Sequence, residues 1–213
     1  MRILIRLAVA TGLAFLATMA PACRCRSDST PSQTSPEGHA QMNKAVPDPV
    51  VLIETSMGAI RVELWPGKAP ATVENFLRYV DERHYDGLIF HRVKDGFMIQ
   101  GGGMDEDLRE KRTHKPIVNE ARPDLRNERG TIAMARTSEV NSATSQFYIN
   151  LEDNDFLNQR DRTPQGFGYC VFGKVIDGMD VVDRIAKVRT RRVGPHEAVP
   201  VETVKIISVR VVE

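Results

Sequence analysis

Two neighbouring stretches put a single cation, an amide and a shelf of large apolar side chains close together. They are Phe90-His91-Arg92-Val93 and, after Gly96, Phe97-Met98-Ile99-Gln100-Gly101-Gly102. On alternating strands, Arg92 takes one face, and Phe97, Met98 and Gln100 sit among glycines that let a ligand approach the backbone closely. Further on, Met134-Ala135-Arg136 and Ser145-Gln146-Phe147-Tyr148-Ile149-Asn150 add a second amide, more aromatic surface and polar backbone. Such a surface can hold an apolar group beside a charged hydrogen-bond donor. Each segment taken alone reads equally well as core or sheet edge.

Other chemistries find less support. The five histidines, His39, His84, His91, His114 and His196, form no His-Glu-x-x-His or His-x-His cluster, so no sequence-local metal centre is expected, although distant ligands stay open. Gly101-Gly102-Gly103 lacks the Lys and Ser/Thr of a phosphate loop and reads as close backbone packing. No Gly-x-Ser-x-Gly elbow occurs, and Cys170 lies in an apolar, strand-like run where a buried thiol is expected rather than a nucleophile. Asp153-Asn154-Asp155 begins like a calcium loop, but the glycine and glutamate such a loop needs are missing, so it reads as a solvated turn. Three cysteines, two near the start and one alone, make neither a disulfide framework nor a four-ligand zinc site.

The elements that must position these residues are mostly strands. Val51 to Glu54, a turn at Ser56-Met57-Gly58, and Ile60, Val62 and Leu64 alternating with Arg61 and Glu63 read as a hairpin with one wet face. After Ala69-Pro70, the apolar residues Val73, Phe76, Leu77 and Val80 fall at helical spacing behind a proline suited to a first turn. Further strands are expected at 88–93, 97–100, 131–135, 145–150, 169–175 and 204–212, with a short helix over Met179 to Ala186 that buries Val181, Val182 and Ile185. Many strands and two helices, with few gaps long enough for crossover helices, predict an all-β fold: an antiparallel sheet closed on itself and capped by helices.

The 213 residues carry 29 Lys and Arg against 28 acidic residues, a net charge of +1, with 41% hydrophobic and 27% charged. That bounds the chain to one globular domain and gives no basic excess for a polyphosphate partner, so nucleic acid is not expected. Residues 1–22 read as an export signal: Arg2 and Arg6 precede an uncharged, mostly apolar run to Ala22. Cys23 follows Ala20-Pro21-Ala22 directly, as in a lipoprotein signal that would acylate Cys23, although Ala20 stands where such signals usually carry Leu. Simple cleavage after Ala22 is the competing outcome, and a retained anchor a third. Residues 23–49, rich in Ser, Thr, Pro and Gln, are expected to form a disordered tether reaching roughly 25–30 Å, with the folded domain at 50–213. Arg189, Arg191 and Arg192 read as a solvated loop, Asn158 to Gly166 as a surface loop, and Trp65 as structural and remote from the candidate surface.

Taken together, Pro70-Ala71-Thr72-Val73-Glu74-Asn75-Phe76, Phe90-His91-Arg92-Val93, Phe97 to Gly102, Ser145-Gln146-Phe147 and Val171-Phe172-Gly173-Lys174-Val175 stand in the order of a known family. The chain resembles a cyclophilin, a peptidyl-prolyl cis-trans isomerase, over nearly all of 50–213. The resemblance implies a closed eight-stranded antiparallel barrel capped by two helices, with no cofactor and no metal. It places Arg92 and Gln100 in catalysis, and Phe97, Met98, Ala135, Arg136, Gln146, Tyr148, Phe156, Leu157 and Tyr169 at the proline pocket. Three positions depart from many eukaryotic members: Arg136 replaces Asn, Phe156 replaces the Trp that favours cyclosporin binding, and Tyr169 replaces a pocket His. The implied partners are proline-containing polypeptides, with membrane contact only through a lipid on Cys23, and a monomer is expected. The implied setting is the envelope or periplasm, in the folding of exported proteins. A proline-binding module without turnover and a structural envelope lipoprotein are the competing readings.

Overall fold

The computed structural model describes residues 48–212. The expected export signal, Cys23 and nearly all of the expected tether lie outside the described residues. The chain forms β1 (Val50–Thr55), β2 (Gly58–Leu64), α1 (Pro70–Asp81), β3 (Arg92–Lys94), β4 (Met98–Gly101), β5 (Thr131–Met134) and β6 (Phe147–Asn150). A 3-10 turn (Asp155–Leu157), β7 (Val171–Asp177), α2 (Met179–Ala186), β8 (Thr190–Val193), β9 (His196–Pro200) and β10 (Ile206–Val211) complete it. Eight strands form one antiparallel sheet in the order β10-β1-β2-β7-β5-β6-β4-β3.

The sheet curls until its ends meet. Residues ahead of β3 and around the start of β10 join them: Phe90 N–H donates to Val204 O at 3.0 Å, Ile206 N–H to Leu88 O at 2.7 Å and Gly87 N–H to Ile206 O at 2.9 Å. The expected strand at 88–93 therefore divides into this seam and the short β3. Joining the ends leaves few unpaired backbone groups at the sheet's rims.

Alternation explains the lining. In β2, Ile60, Val62 and Leu64 are fully buried while Arg61 and Glu63 lie half outside, as a period of two demands. Helix α1 sends Phe76 into the barrel end, where its ring meets Phe147 edge-on at 5.7 Å and Phe172 at 5.2 Å. No side chain at Ala69 caps α1. Glu120 does so from far along the chain, accepting from Ala71 N–H at 3.2 Å, Thr72 N–H at 2.8 Å and the Thr72 hydroxyl at 2.7 Å. A carboxylate there satisfies orphan donors and meets the positive end of the helix dipole.

Three local expectations are corrected. Arg191 and Arg192 lie in β8, which pairs with β9 as a separate hairpin; its outward charges conceal the strand pattern. Asn154 does not sit in a solvated turn: it is 4% exposed because its amide meets buried acceptors, while Asp153 and Asp155 on either side do face solvent. Trp65 is not remote, since its ring packs against the apolar cluster of Met98, Leu125, Ala133, Tyr148, Leu157 and Val171.

Candidate active site

Register gathers the site. Arg92 in β3 stands opposite Gln100 in β4, and Gln100 stands opposite Tyr148 in β6. Residues opposite one another point to the same face of a sheet. Two residues back along β4, Met98 shares that face, whereas Ile99 between them points into the core. Ala135 and Arg136 follow β5, Leu157 ends the 3-10 turn and Tyr169 precedes β7, which closes the ring of walls. The result is a cavity of about 200 Å³ lined by Arg92, Phe97, Met98, Gln100, Ala135, Arg136, Tyr148, Leu157 and Tyr169. Nine of the eleven candidates converge there.

The other two stand at its edge. Gln146 accepts a hydrogen bond from Gln100 Nε2 at 2.9 Å. The room for it comes from Gly103, where a Cβ would lie 2.4 Å from Gln146 Cγ. Phe156, 64% exposed, stacks on Phe97 at 5.5 Å and 28° and forms a rim.

The two arginines at the cavity are in opposite states. Arg136 is committed: Nε donates to Gly168 O at 2.9 Å, Nη1 to Thr137 O at 2.9 Å and Nη2 to Pro164 O at 3.1 Å, with the guanidinium 4.7 Å above the Tyr169 ring. Arg92 touches only the Phe97 ring, 5.9 Å from its centroid, and among the described residues no carboxylate or carbonyl takes its donors. A half-buried guanidinium with five free N–H groups beside an apolar wall is equipped to donate to a ligand.

Titratable groups nearby are held neutral. Burial lowers the His91 pKa to about 4, helped by His196 and Arg92, and burial holds the Tyr148 phenol well above its ordinary range. Cys170 is pushed up to about 11 by burial, which leaves a thiol and no nucleophile. Among the described residues no group of three His, Cys, Asp or Glu could hold a metal. The surface can therefore grip, exclude water and donate hydrogen bonds, but it has no residue poised for covalent attack.

Asn127, Leu125 and Trp65 support the walls from beneath, and sequence reading does not single out the first two. Asn127 lies between charged residues in a stretch without periodicity, and nothing local marks it as buried. Trp65 was visible as a lone tryptophan, but its partner surface comes from strands distant in sequence.

A family model described as cyclophilin type peptidyl-prolyl cis-trans isomerase/CLD matches residues 50–211. The chain is 54% identical over 164 residues to peptidyl-prolyl cis-trans isomerase B of Escherichia coli, covering 77% of this chain and 100% of that one. It is 54% identical over 167 residues to a peptidyl-prolyl cis-trans isomerase of Acinetobacter baylyi, covering 78% and 87%. Among solved structures, a cyclophilin type isomerase of Cryptosporidium parvum superposes with a TM-score of 0.63 at 26% identity, covering 78% of this chain and 98% of that one. The same protein, solved in the presence of the dipeptide Ala-Pro, gives a TM-score of 0.61. A curled eight-stranded sheet, an apolar cavity with one free guanidinium, and relatives matched along their length converge: the chain belongs to the cyclophilin-type peptidyl-prolyl cis-trans isomerases.

Proposed function

We propose that the chain accelerates rotation about X-Pro bonds with Arg92 as the catalytic group, and that its clients are exported proteins met near a membrane. The observation that carries the catalytic reading is the unpaired Arg92 guanidinium on the rim of an apolar cavity. Rotation must break amide conjugation against about 18–20 kcal/mol, so catalysis means holding the twisted bond more tightly than the planar one. As the bond twists, the prolyl nitrogen becomes pyramidal and regains a lone pair, which the planar amide does not offer. Arg92 donates to it when it forms, so the contact favours the transition state selectively.

The remaining residues grip and orient. Met98, Tyr148 and Leu157, nearly inaccessible, form an apolar seat for the pyrrolidine ring, with Phe97 as its side wall. Gln100, its Nε2 bound by Gln146, keeps Oε1 to accept from a substrate N–H and fixes the chain beside the ring. Ala135 leaves space for the substrate backbone. Arg136, pinned by bonds to the backbone carbonyls of Gly168, Thr137 and Pro164, lies over the Tyr169 ring and holds it in place as a wall.

The test is Arg92→Ala in an exchange assay on an X-Pro peptide. Turnover should fall about 10- to 100-fold, the worth of one charge-assisted hydrogen bond, with peptide affinity within a few fold. Turnover near the wild-type value would remove Arg92 from this role.

The cellular reading rests on residues 1–22, with Arg2 and Arg6 ahead of an apolar run, and on Cys23 after Ala20-Pro21-Ala22. In it, Cys23 is acylated, residues 23–49 tether the domain to the membrane, and the domain acts as a monomer on chains emerging there. The mass of the mature N-terminus decides the point: a diacylglyceryl group on Cys23 is expected, and an unmodified N-terminus overturns it.

A further inference from the structure

Behind the cavity lies a chain of buried amides that no part of the reaction uses directly. Asn127 is 1% exposed, and every polar group it has is engaged. Its Oδ1 accepts from the Tyr148 hydroxyl at 2.7 Å and from Asn150 Nδ2 at 3.3 Å. Its Nδ2 donates to Asn158 Oδ1 at 3.2 Å and reaches Tyr169 O at 3.5 Å, and its backbone N–H donates to Asn158 Oδ1 at 2.7 Å. Its carbonyl accepts from Asn154 N–H at 2.8 Å. Asn154 Nδ2 carries the network on to Asn150 Oδ1 at 2.8 Å and to the Phe97 carbonyl at 2.9 Å, and Leu157 N–H donates to Asn154 O at 2.9 Å.

The same few amides thus hold Phe97, Tyr148, Leu157 and Tyr169, walls that come from four separate parts of the chain. We propose that Asn127 is a positioning residue for the proline pocket, setting the Tyr148 ring and the Leu157 and Tyr169 walls at the spacing that fits a pyrrolidine ring. The proposal rests on the reading of this cavity as the substrate site. The physical reason is the asymmetry of buried hydrogen bonds: an O–H left without an acceptor in an apolar interior is costly, and the ring that bears it moves to find one. Tyr148 stays protonated because burial keeps its phenol from ionising, so it needs an acceptor, and Asn127 Oδ1 supplies it. Without the hydroxyl, Asn127 Oδ1 still has Asn150 Nδ2, so Tyr148→Phe alone leaves the network whole.

The experiment measures kcat and KM on an X-Pro peptide, per folded molecule, for full-chain variants whose folded fraction is known from thermal melts. Asn127→Ala should lower kcat/KM about tenfold, mainly through KM, because a loosened seat grips the ring poorly in every state. Adding Tyr148→Phe should restore kcat/KM to within about threefold of Tyr148→Phe alone, since the orphaned hydroxyl is gone. A merely structural Asn127 predicts a lower melting temperature with kcat/KM within about twofold of wild type, or a double variant no better than the single; either result overturns the proposal. Should Asn127→Ala fail to fold, Asn158→Ala at the half-buried end decides. It removes the acceptor of two Asn127 donors, and a loss of about two- to threefold is expected, whereas unchanged kcat/KM overturns the proposal. Arg92→Ala runs in parallel. If it stays active, the cavity reading fails and takes this proposal with it; if it is inactive while Asn127→Ala is normal, only the positioning role falls.

Discussion

Arg92 and Gln100 face each other across β3 and β4 as a register pair, yet no hydrogen bond joins their side chains; Gln100 turns its amide to Gln146 instead. The separation keeps the guanidinium free and fixes the amide that adjoins it. One side chain is available to a ligand because the other is occupied sideways.

Gln146→Ala should therefore impair an enzyme whose pocket is otherwise untouched. With Nε2 released, Gln100 gains rotamer freedom, and kcat/KM should drop about three- to tenfold with little change in melting temperature. Gly103→Ala should act in the same direction, because its Cβ would occupy the place of the Gln146 side chain, 2.4 Å from Cγ. Steady-state kinetics on both variants check this; unaltered kcat/KM in both would show that Gln100 needs no support.

Arg92→Lys should behave much more like Arg92→Ala than like the wild type. A compact ammonium keeps the charge but loses the planar fork that can reach the prolyl nitrogen and an adjacent carbonyl together. Recovery of more than about half the native turnover would show that charge alone suffices.

The pH dependence separates stability from activity. His84 and His91 both have pKa values lowered from 6.5 to about 4, mainly by burial. Lys111, Glu82 and His114 act on His84, and His196 and Arg92 on His91. Between those values the unfolded chain binds protons that the native chain refuses, so unfolding free energy falls as pH falls through this window and is insensitive to these groups above it. Each histidine contributes a slope on the order of 1 kcal/mol per pH unit. Urea titrations from about pH 7 to pH 4 should show that decline. Over about pH 5 to 8, kcat/KM should stay flat, because His91 beside Arg92 stays mostly neutral there.

Cys170 should resist alkylation in the native chain. Its thiol is buried, donates or accepts at 3.4 Å with the Thr72 hydroxyl, and has a pKa pushed up to about 11, so thiolate is scarce at pH 8. Peptide mapping after iodoacetamide treatment should find Cys170 unmodified until urea exposes it. Rapid native labelling would show that the helix α1 end of the barrel opens readily.

What the sequence reveals depends on how local the cause is. Alternation at Ile60, Val62 and Leu64, and the helical spacing of Val73, Phe76 and Val80, are consequences of near neighbours, so both elements emerge where expected. The β8 strand is missed because Arg191 and Arg192 present charge outward and only the partner β9 reveals the pairing. Arg92, Gln100 and Tyr148 are recognisable from motifs, but their common face depends on the registers of β3, β4 and β6. Asn127 and Glu120 are harder still: each acts on groups brought close only by the closed sheet, and an asparagine or glutamate in a loop carries no local mark of that duty.

The seam between residues 87–90 and 204–206 has a temporal meaning as well. The first strand takes its outer partner from the last, and the seam likewise joins a middle segment to the end of the chain. A ribosome that releases this polypeptide from its N-terminus delivers β10 after all the other described strands. Until then the cylinder stays open along one side, so conformational commitment waits for that strand.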